Sequence, residues 1–283
     1  MKCNLCPRKC GVNRELQRGF CSSKNQIKIA KYCLFDFEEP LISGQSGSGA
    51  IFFCGCSLKC VFCQNYEISS QNKGKNISVE ELADIFKQLE DMGAININLV
   101  NPTHYAWQII EALKIYRPKI PIVYNTHGYE SLETLKMIDK YIDIYLPDFK
   151  YFDNKAANRY SNCSNYVDVV TLALKFMRKQ KTDVIENGVM KQGMIIRHLI
   201  MPLMTDQSIS ILQWIKQNLP STKVSLMSQY VPYGKACDHK EINRCITKRE
   251  YNKVLSAYFD LGLDGFIQDL SSAKTVYIPK WDY

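Results

Sequence analysis

Three cysteines on one eight-residue stretch, Cys56-Ser57-Leu58-Lys59-Cys60-Val61-Phe62-Cys63, are the residues of this 283-residue chain best suited to chemistry. Their C-x3-C-x2-C spacing lets three thiolates wrap one iron–sulfur cluster and bind three of its irons, whereas such clusters normally take four cysteines. The shortfall leaves one iron for a substrate, as catalytic metal sites keep a position open. Lys59 and the loop N–H groups would offset the cluster charge. A zinc site of three cysteines and a histidine uses the same residue types, and so does a buried group of reduced thiols. Zinc ribbons, however, pair C-x2-C knuckles, and this loop has no such pair.

A second set, Cys3, Cys6, Cys10 and Cys21, lies among Pro7, Gly11 and Gly19 in a stretch of little apolar content. A segment that small rarely folds without a metal or a disulfide. The four thiols are a candidate second metal site, for structural zinc or an auxiliary iron–sulfur cluster, with reduced surface thiols as the alternative. Cys33, Cys54, Cys163, Cys237 and Cys245 have no ligand spacing. Seven of the twelve cysteines thus form two tight groups, which in a reducing compartment reads as ligation rather than cross-linking. The start of the chain lacks the apolar core of a signal peptide, and no apolar run approaches the ~18 residues of a membrane span. A cytoplasmic protein without a membrane partner is expected. With 46% hydrophobic and 23% charged residues, a disordered or fibrous chain is excluded. The net charge of +8 is scattered along the chain and, read as a solvated surface, argues weakly for nucleic acid.

The elements that must position these residues follow from hydrophobic periodicity. Apolar runs suited to buried strands occur at Ala50–Phe53, Ile95–Val100, Ile120–Tyr124, Ile142–Leu146, Met194–Met201, Val224–Met227 and Gly265–Ile267. Between them lie helical patterns at His104–Tyr116, Ser131–Lys140, Asn165–Lys179 and Gln207–Asn218. Two more helices open on capping boxes, Ser78-Val79-Glu80-Glu81 and Thr247-Lys248-Arg249-Glu250. Repeated strand–helix alternation predicts parallel strands with right-handed crossovers, as an α/β barrel or a wound sheet. Chemistry in such folds sits at the C-terminal ends of strands. The unusual motifs all fall there: the cysteine loop, Asn101-Pro102-Thr103-His104, Asn125-Thr126-His127, Pro147-Asp148-Phe149-Lys150 and Gln229-Tyr230. Residues 1–47 are read as a Cys-rich lobe with a lead-in segment, β-like over Ile27–Phe37 and turn-rich over Glu38–Gly44, and 48–283 as the barrel.

The cysteine loop, with an aromatic residue just before its last cysteine, resembles that of the radical S-adenosylmethionine (radical SAM) enzymes. Gly49–Phe53, Cys63–Tyr66, Asn96–Val100, Tyr145–Tyr151 and Leu226–Tyr230 further resemble the pyruvate formate-lyase activating enzyme-like subgroup, over nearly the whole chain. The resemblance implies a partial (β/α)6 TIM-like barrel, a 4Fe–4S cluster and S-adenosylmethionine (SAM). The unique iron would chelate the methionyl amino and carboxylate groups, and one electron would cleave the C5′–S bond to a 5′-deoxyadenosyl radical. It also implies an electron donor such as flavodoxin or ferredoxin and, as partner, a glycyl-radical protein.

Residue by residue, Asn125-Thr126 matches an Asp-Thr pair of the glycyl-radical activases, and Leu146-Pro147-Asp148-Phe149-Lys150 their Asp-Leu-Lys motif. The match implies a monovalent cation at Asp148 and a carboxylate-orienting Lys150, with Asn125 removing one charge from that region. Ile196-Arg197-His198 resembles an Ile-Arg-Tyr strand, which implies Arg197 at the SAM carboxylate; otherwise an Arg in so apolar a strand demands a buried ion pair. Gln229 is placed to contact adenosine or substrate, with packing as its alternative. Radical SAM enzymes usually carry Gly-Gly-Glu where this chain has Val100-Asn101-Pro102-Thr103-His104, so Asn101 and Thr103 become the candidate acceptors for the SAM amino group. Two other functions compete: radical modification of a small molecule or RNA, and a non-catalytic, zinc-stabilised binding module.

Overall fold

The computed structural model describes residues 2–273 and Trp281; the remainder of the expected 48–283 unit, residues 274–280 and 282–283, lies outside the described residues, as does Met1. Ten strands occur among the described residues, in chain order: β1 Ile27–Phe35, β2 Ser48–Phe53, β3 Lys75–Ile77, β4 Ile97–Val100, β5 Ile122–Thr126, β6 Ile144–Pro147, β7 Val184–Glu186, β8 Val189–Leu199, β9 Lys223–Met227 and β10 Gly265–Ile267. They form one sheet in the order β10-β9-β8-β6-β5-β4-β2-β1-β3, with β7 pairing β8 to the side. From β2 to β10 every neighbour is parallel. The described sheet has two ends, so the barrel is partial, in agreement with the expected α/β class.

The connections hold the helices α1 Pro40–Ser43, α2 Tyr66–Ser69, α3 Val79–Asp91, α4 Ala106–Ile115, α5 Leu132–Ile138, α6 Asn154–Ser161, α7 Tyr166–Gln180, α8 Thr205–Asn218 and α9 Lys248–Asp260. Both predicted capping boxes form: Ser78 with Glu81 opens α3, and Thr247 with Glu250 opens α9. Leu82, Ile85, Phe86 and Leu89 of α3 are buried in the same core as Ile51 and Phe53, one face of β2. The alternate residues Ala50, Phe52 and Cys54 turn to the opposite face, as the strand period of two requires.

Within the lead-in segment read on sequence, Ile27–Phe35 is strand β1 of the sheet. Strand β1 pairs antiparallel with β2, Phe35 opposite Ser48. The chain therefore leaves β1 beside the N-terminal ends of the parallel strands, away from the cysteine loop. There the turn-rich stretch contains α1, whose Ile42 packs with Val123, Ile144, Leu146, Met190 and Ile195. This short helix closes the floor of the barrel. Gly44 makes the turn at φ +52°, where a Cβ would come within 2.8 Å of Ile95 Cδ1. The sequence pattern also passes over α2, α6, β3 and β7, all too short for periodicity to mark.

Candidate active site

The C-terminal ends of the parallel strands surround a cavity of about 580 Å³, and Cys56, Cys60 and Cys63 all line it. The loop that carries them is held by main-chain bonds from three directions. Cys56 N–H donates to Cys21 C=O (3.2 Å), Val61 N–H to Tyr160 C=O (2.9 Å), and Val61 C=O accepts from Lys235 N–H (2.7 Å). Lys59, at φ +56°, turns toward the lobe, where Nζ donates to Ser22 Oγ (2.7 Å). Each sulfur has a donor of its own: Leu58 N–H at 3.4 Å from Cys56 Sγ, Ser161 Oγ at 2.9 Å from Cys60 Sγ and Ser69 Oγ at 3.3 Å from Cys63 Sγ. Burial pushes the free Cys56 and Cys60 thiols up to about 11, and raises Cys63 as well.

Among the described residues no group of three or more His, Cys, Asp or Glu converges on a point that would hold one metal ion. A cubane offers a separate iron to each ligand and needs no such point. Three sulfurs facing one cavity, each met by an N–H or O–H donor, fit the thiolate ligands of such a cluster.

Beside the thiols stands a buried polar network. Arg197 Nε donates to Asp148 Oδ1 (2.8 Å), Nη1 to Glu38 Oε2 (3.0 Å) and Nη2 to Asn125 Oδ1 (2.6 Å). Lys150 Nζ donates to Asp148 Oδ2 (2.6 Å). Glu38 Oε1 accepts from Asn125 Nδ2 (3.0 Å) and Asn98 Nδ2 (3.1 Å). For Asp148, burial opposes ionisation most, but Arg197 and Lys150 together outweigh it and hold the carboxyl below its usual range. Three of the five N–H donors of Arg197 bond within its own chain, which places the residue in a buried ion-pair network on the cavity wall. Each oxygen of Asp148 accepts from a cationic side chain.

Of the other predicted residues, Asn101, Asn125, Thr126 and Gln229 line the cavity. Asn101 adopts φ +57°; its Nδ2 donates to Gly55 C=O (2.8 Å), and its Oδ1 is buried without a partner. Gln229 C=O accepts from Gln64 Nε2 (3.1 Å), which ties the end of β9 to the cysteine loop. Thr103 is the exception. It is fully buried, donates to Glu130 Oε1 (2.6 Å) and does not reach the cavity. Thr126 donates to the same oxygen, and Tyr124 Oη to Glu130 Oε2 (3.3 Å). Sequence reasoning missed Glu38, Glu39 and Glu130. Burial lifts Glu39 and Glu130 to about 7. Only the adjacency of two acids before Pro40 could have signalled the first pair.

The rim histidines are buried and hydrogen-bonded, and His127 also lines the cavity. His127 accepts at Nδ1 from Tyr129 N–H (3.1 Å), which leaves its proton on Nε2, 2.9 Å from Ser57 Oγ. Burial lowers it to about 3. His104 and His198 pair with the carbonyls of Cys54 and Phe149, and burial lowers them to about 3 and about 4.

In the lobe, Cys3, Cys6 and Cys21 are buried and Cys10 is exposed. A Cβ on Gly19 would lie 3.4 Å from Cys10 Sγ and 3.5 Å from Cys21 Sγ, so these two sulfurs flank one small residue. Burial raises Cys6 to about 12, with Cys21 and Cys3 adding to the effect. The four thiols are near enough to act on one another through charge, Cys10 and Cys21 on Cys3 and Cys21 and Cys3 on Cys6.

Residues 50–215, more than half the chain, match the Radical SAM superfamily. An uncharacterised protein of Methanocaldococcus jannaschii, MJ0674, is 34% identical over 272 residues, covering 93% of this chain and 75% of that protein. Among solved structures, Streptococcus suis SuiB bound to its precursor peptide SuiA has a TM-score of 0.53 at 16% identity, over 77% of this chain and 48% of SuiB. SuiB bound to S-adenosylmethionine has a TM-score of 0.51 at 16% identity, over 79% and 48%. This chain thus spans about half the length of SuiB, and at that identity the likeness is one of fold. No helix among the described residues is long and apolar enough to cross a membrane.

Proposed function

This chain belongs to the radical SAM superfamily, and from that premise we propose that Cys56, Cys60 and Cys63 hold a 4Fe–4S cluster at which SAM is reductively cleaved. One observation carries the reading: three separately hydrogen-bonded thiols and the Asp148–Lys150 pair line the same cavity, whose volume of about 580 Å³ suits one ligand of SAM's size. When bound, the cluster supplies the electron that breaks the sulfonium C5′–S bond. The chain's own residues bind, orient and exclude water. Lys150 Nζ, with one of its three donor positions on Asp148, offers the ligand carboxylate a cation. Arg197 acts at one remove, fixing Asp148 and Asn125 at the wall. Asn101 Oδ1, buried and unpartnered in a residue of the cavity wall, is the acceptor for an N–H of the ligand's amino group. Phe35 and Phe52 form an apolar side that keeps water from a reactive radical.

The substrate we propose is a polypeptide, in its finer form a glycyl-radical protein that loses a backbone Cα hydrogen, with a flavodoxin- or ferredoxin-like protein as donor. Its support is the motif-level resemblance to the activases; the SuiB fold also serves a peptide-binding enzyme. The lobe cysteines are proposed as a second metal site, for which zinc, or iron beyond one cubane, should be found.

Anaerobic reconstitution with iron and sulfide, followed by reduction with SAM present, tests the central claim. 5′-Deoxyadenosine should form, and Cys60→Ala should reduce it to the uncatalysed background. Product formation without iron, or undiminished in the variant, would overturn it.

A further inference from the structure

Ser161 is the last residue of α6, and its hydroxyl lies 2.9 Å from Cys60 Sγ and 2.7 Å from Tyr151 Oη. Both Ser161 and Tyr151 are fully buried. A serine hydroxyl has one proton to give, and a ligating thiolate only accepts. Ser161 must therefore direct its proton at the sulfur, and Tyr151 must donate its own to Ser161. The order Tyr151 to Ser161 to Cys60 is thus fixed by proton count.

We propose that Ser161, polarised by Tyr151, sets the reduction potential of the cluster bound by the cysteine loop. The inference rests on the reading of that loop as a cluster site. A hydrogen bond to a ligand sulfur withdraws electron density and favours the more negative, reduced state, so it raises the potential. Hydroxyls in series polarise one another, and with both groups buried no bulk water competes. Neither residue lies in the cysteine loop; Tyr151 follows the β6 end and Ser161 comes from a helix that periodicity does not mark. They are positioning residues, acting through Cys60.

The main chain around Ser161 is anchored without its side chain. Val61 N–H donates to Tyr160 C=O (2.9 Å), and Arg8 Nη2 to Ser161 C=O (3.1 Å). Ser161→Ala thus removes the donor while the contacts that dock α6 on the loop persist.

The test is a potentiometric titration of the anaerobically reconstituted full chain, with dithionite as reductant and the EPR signal of the reduced cluster as readout. Ser161→Ala should have a lower midpoint than wild type at equal iron content, and Tyr151→Phe a smaller displacement in the same direction. An unchanged midpoint in Ser161→Ala would overturn the proposal. Should that variant fail to take up iron, Tyr151→Phe decides alone, a lowered midpoint supporting the relay and an unchanged one overturning it. A wild-type protein with no cubane signal would instead overturn the cluster reading itself, a result distinct from equal midpoints.

Discussion

Glu130 receives three hydroxyl donors, from Thr103, Thr126 and Tyr124, yet burial wins and lifts its carboxyl from 4.5 to about 7. Between those values the folded protein keeps a proton that the unfolded chain has lost, so this group's contribution is full below about 4.5 and fades as the pH rises through about 7. Relative to Glu130→Gln, wild-type stability should decline across that window on the order of 1 kcal/mol per pH unit. Urea unfolding of both proteins at several pH values measures it, and parallel curves would refute the assignment. The comparison cancels the buried histidines, whose lowered pKa values act in the opposite sense. Residue identity was legible in the sequence where spacing carried it, as in Cys56, Cys60 and Cys63. Nothing local distinguishes Glu130, or Glu38 against Arg197, from a surface acid. Thr103, a candidate acceptor on sequence, turns its hydroxyl onto that buried acid instead of the cavity.

At the scale of elements, the long periodic strands and helices follow the sequence pattern closely, because one buried face imposes a period of two or 3.6. The segment after β9 is a different matter. It crosses the cysteine loop with Lys235 N–H on Val61 C=O (2.7 Å), while buried Tyr230 packs against Phe62 at a ring distance of 5.8 Å. Gly234 makes the approach at φ +62°, and a Cβ there would lie 2.7 Å from the Tyr66 ring and 2.9 Å from Val61 C=O. Gly234→Ala should lift the strap, accelerate proteolysis between β9 and α9 and speed iron loss in air. Protection equal to wild type in both assays would show that the strap tolerates the methyl group. Short elements such as α1 and α6 were not legible, since one or two turns show no period and form only against the surfaces they cover.

For the whole molecule, the lobe is docked on the rim. Arg8 donates from Nε to Ser57 C=O (2.8 Å), from Nη2 to Ser161 C=O (3.1 Å) and from Nη1 to Asn162 C=O, and its guanidinium lies 4.1 Å from the centre of the Phe20 ring. Leu5 C=O accepts from the hydroxyls of Ser131 (3.1 Å) and Thr134 (2.6 Å). Arg8→Ala should cost about 2 kcal/mol, a discounted sum for partly buried bonds from a charged donor. Thermolysin should then cut the lobe before the barrel; simultaneous loss of both would show one cooperative unit. By itself the sequence determined the cysteine trio, the alternation of strands and helices and the rim on which the motifs fall, because cysteine spacing and hydrophobic period are properties of neighbouring residues. Only the tertiary structure decided that Glu38 meets Arg197 across 159 positions and that Ser161 meets Cys60 across 101. Such contacts depend on how the chain closes in space, and burial there, rather than residue type, sets which charges are paired and which donors meet the sulfurs.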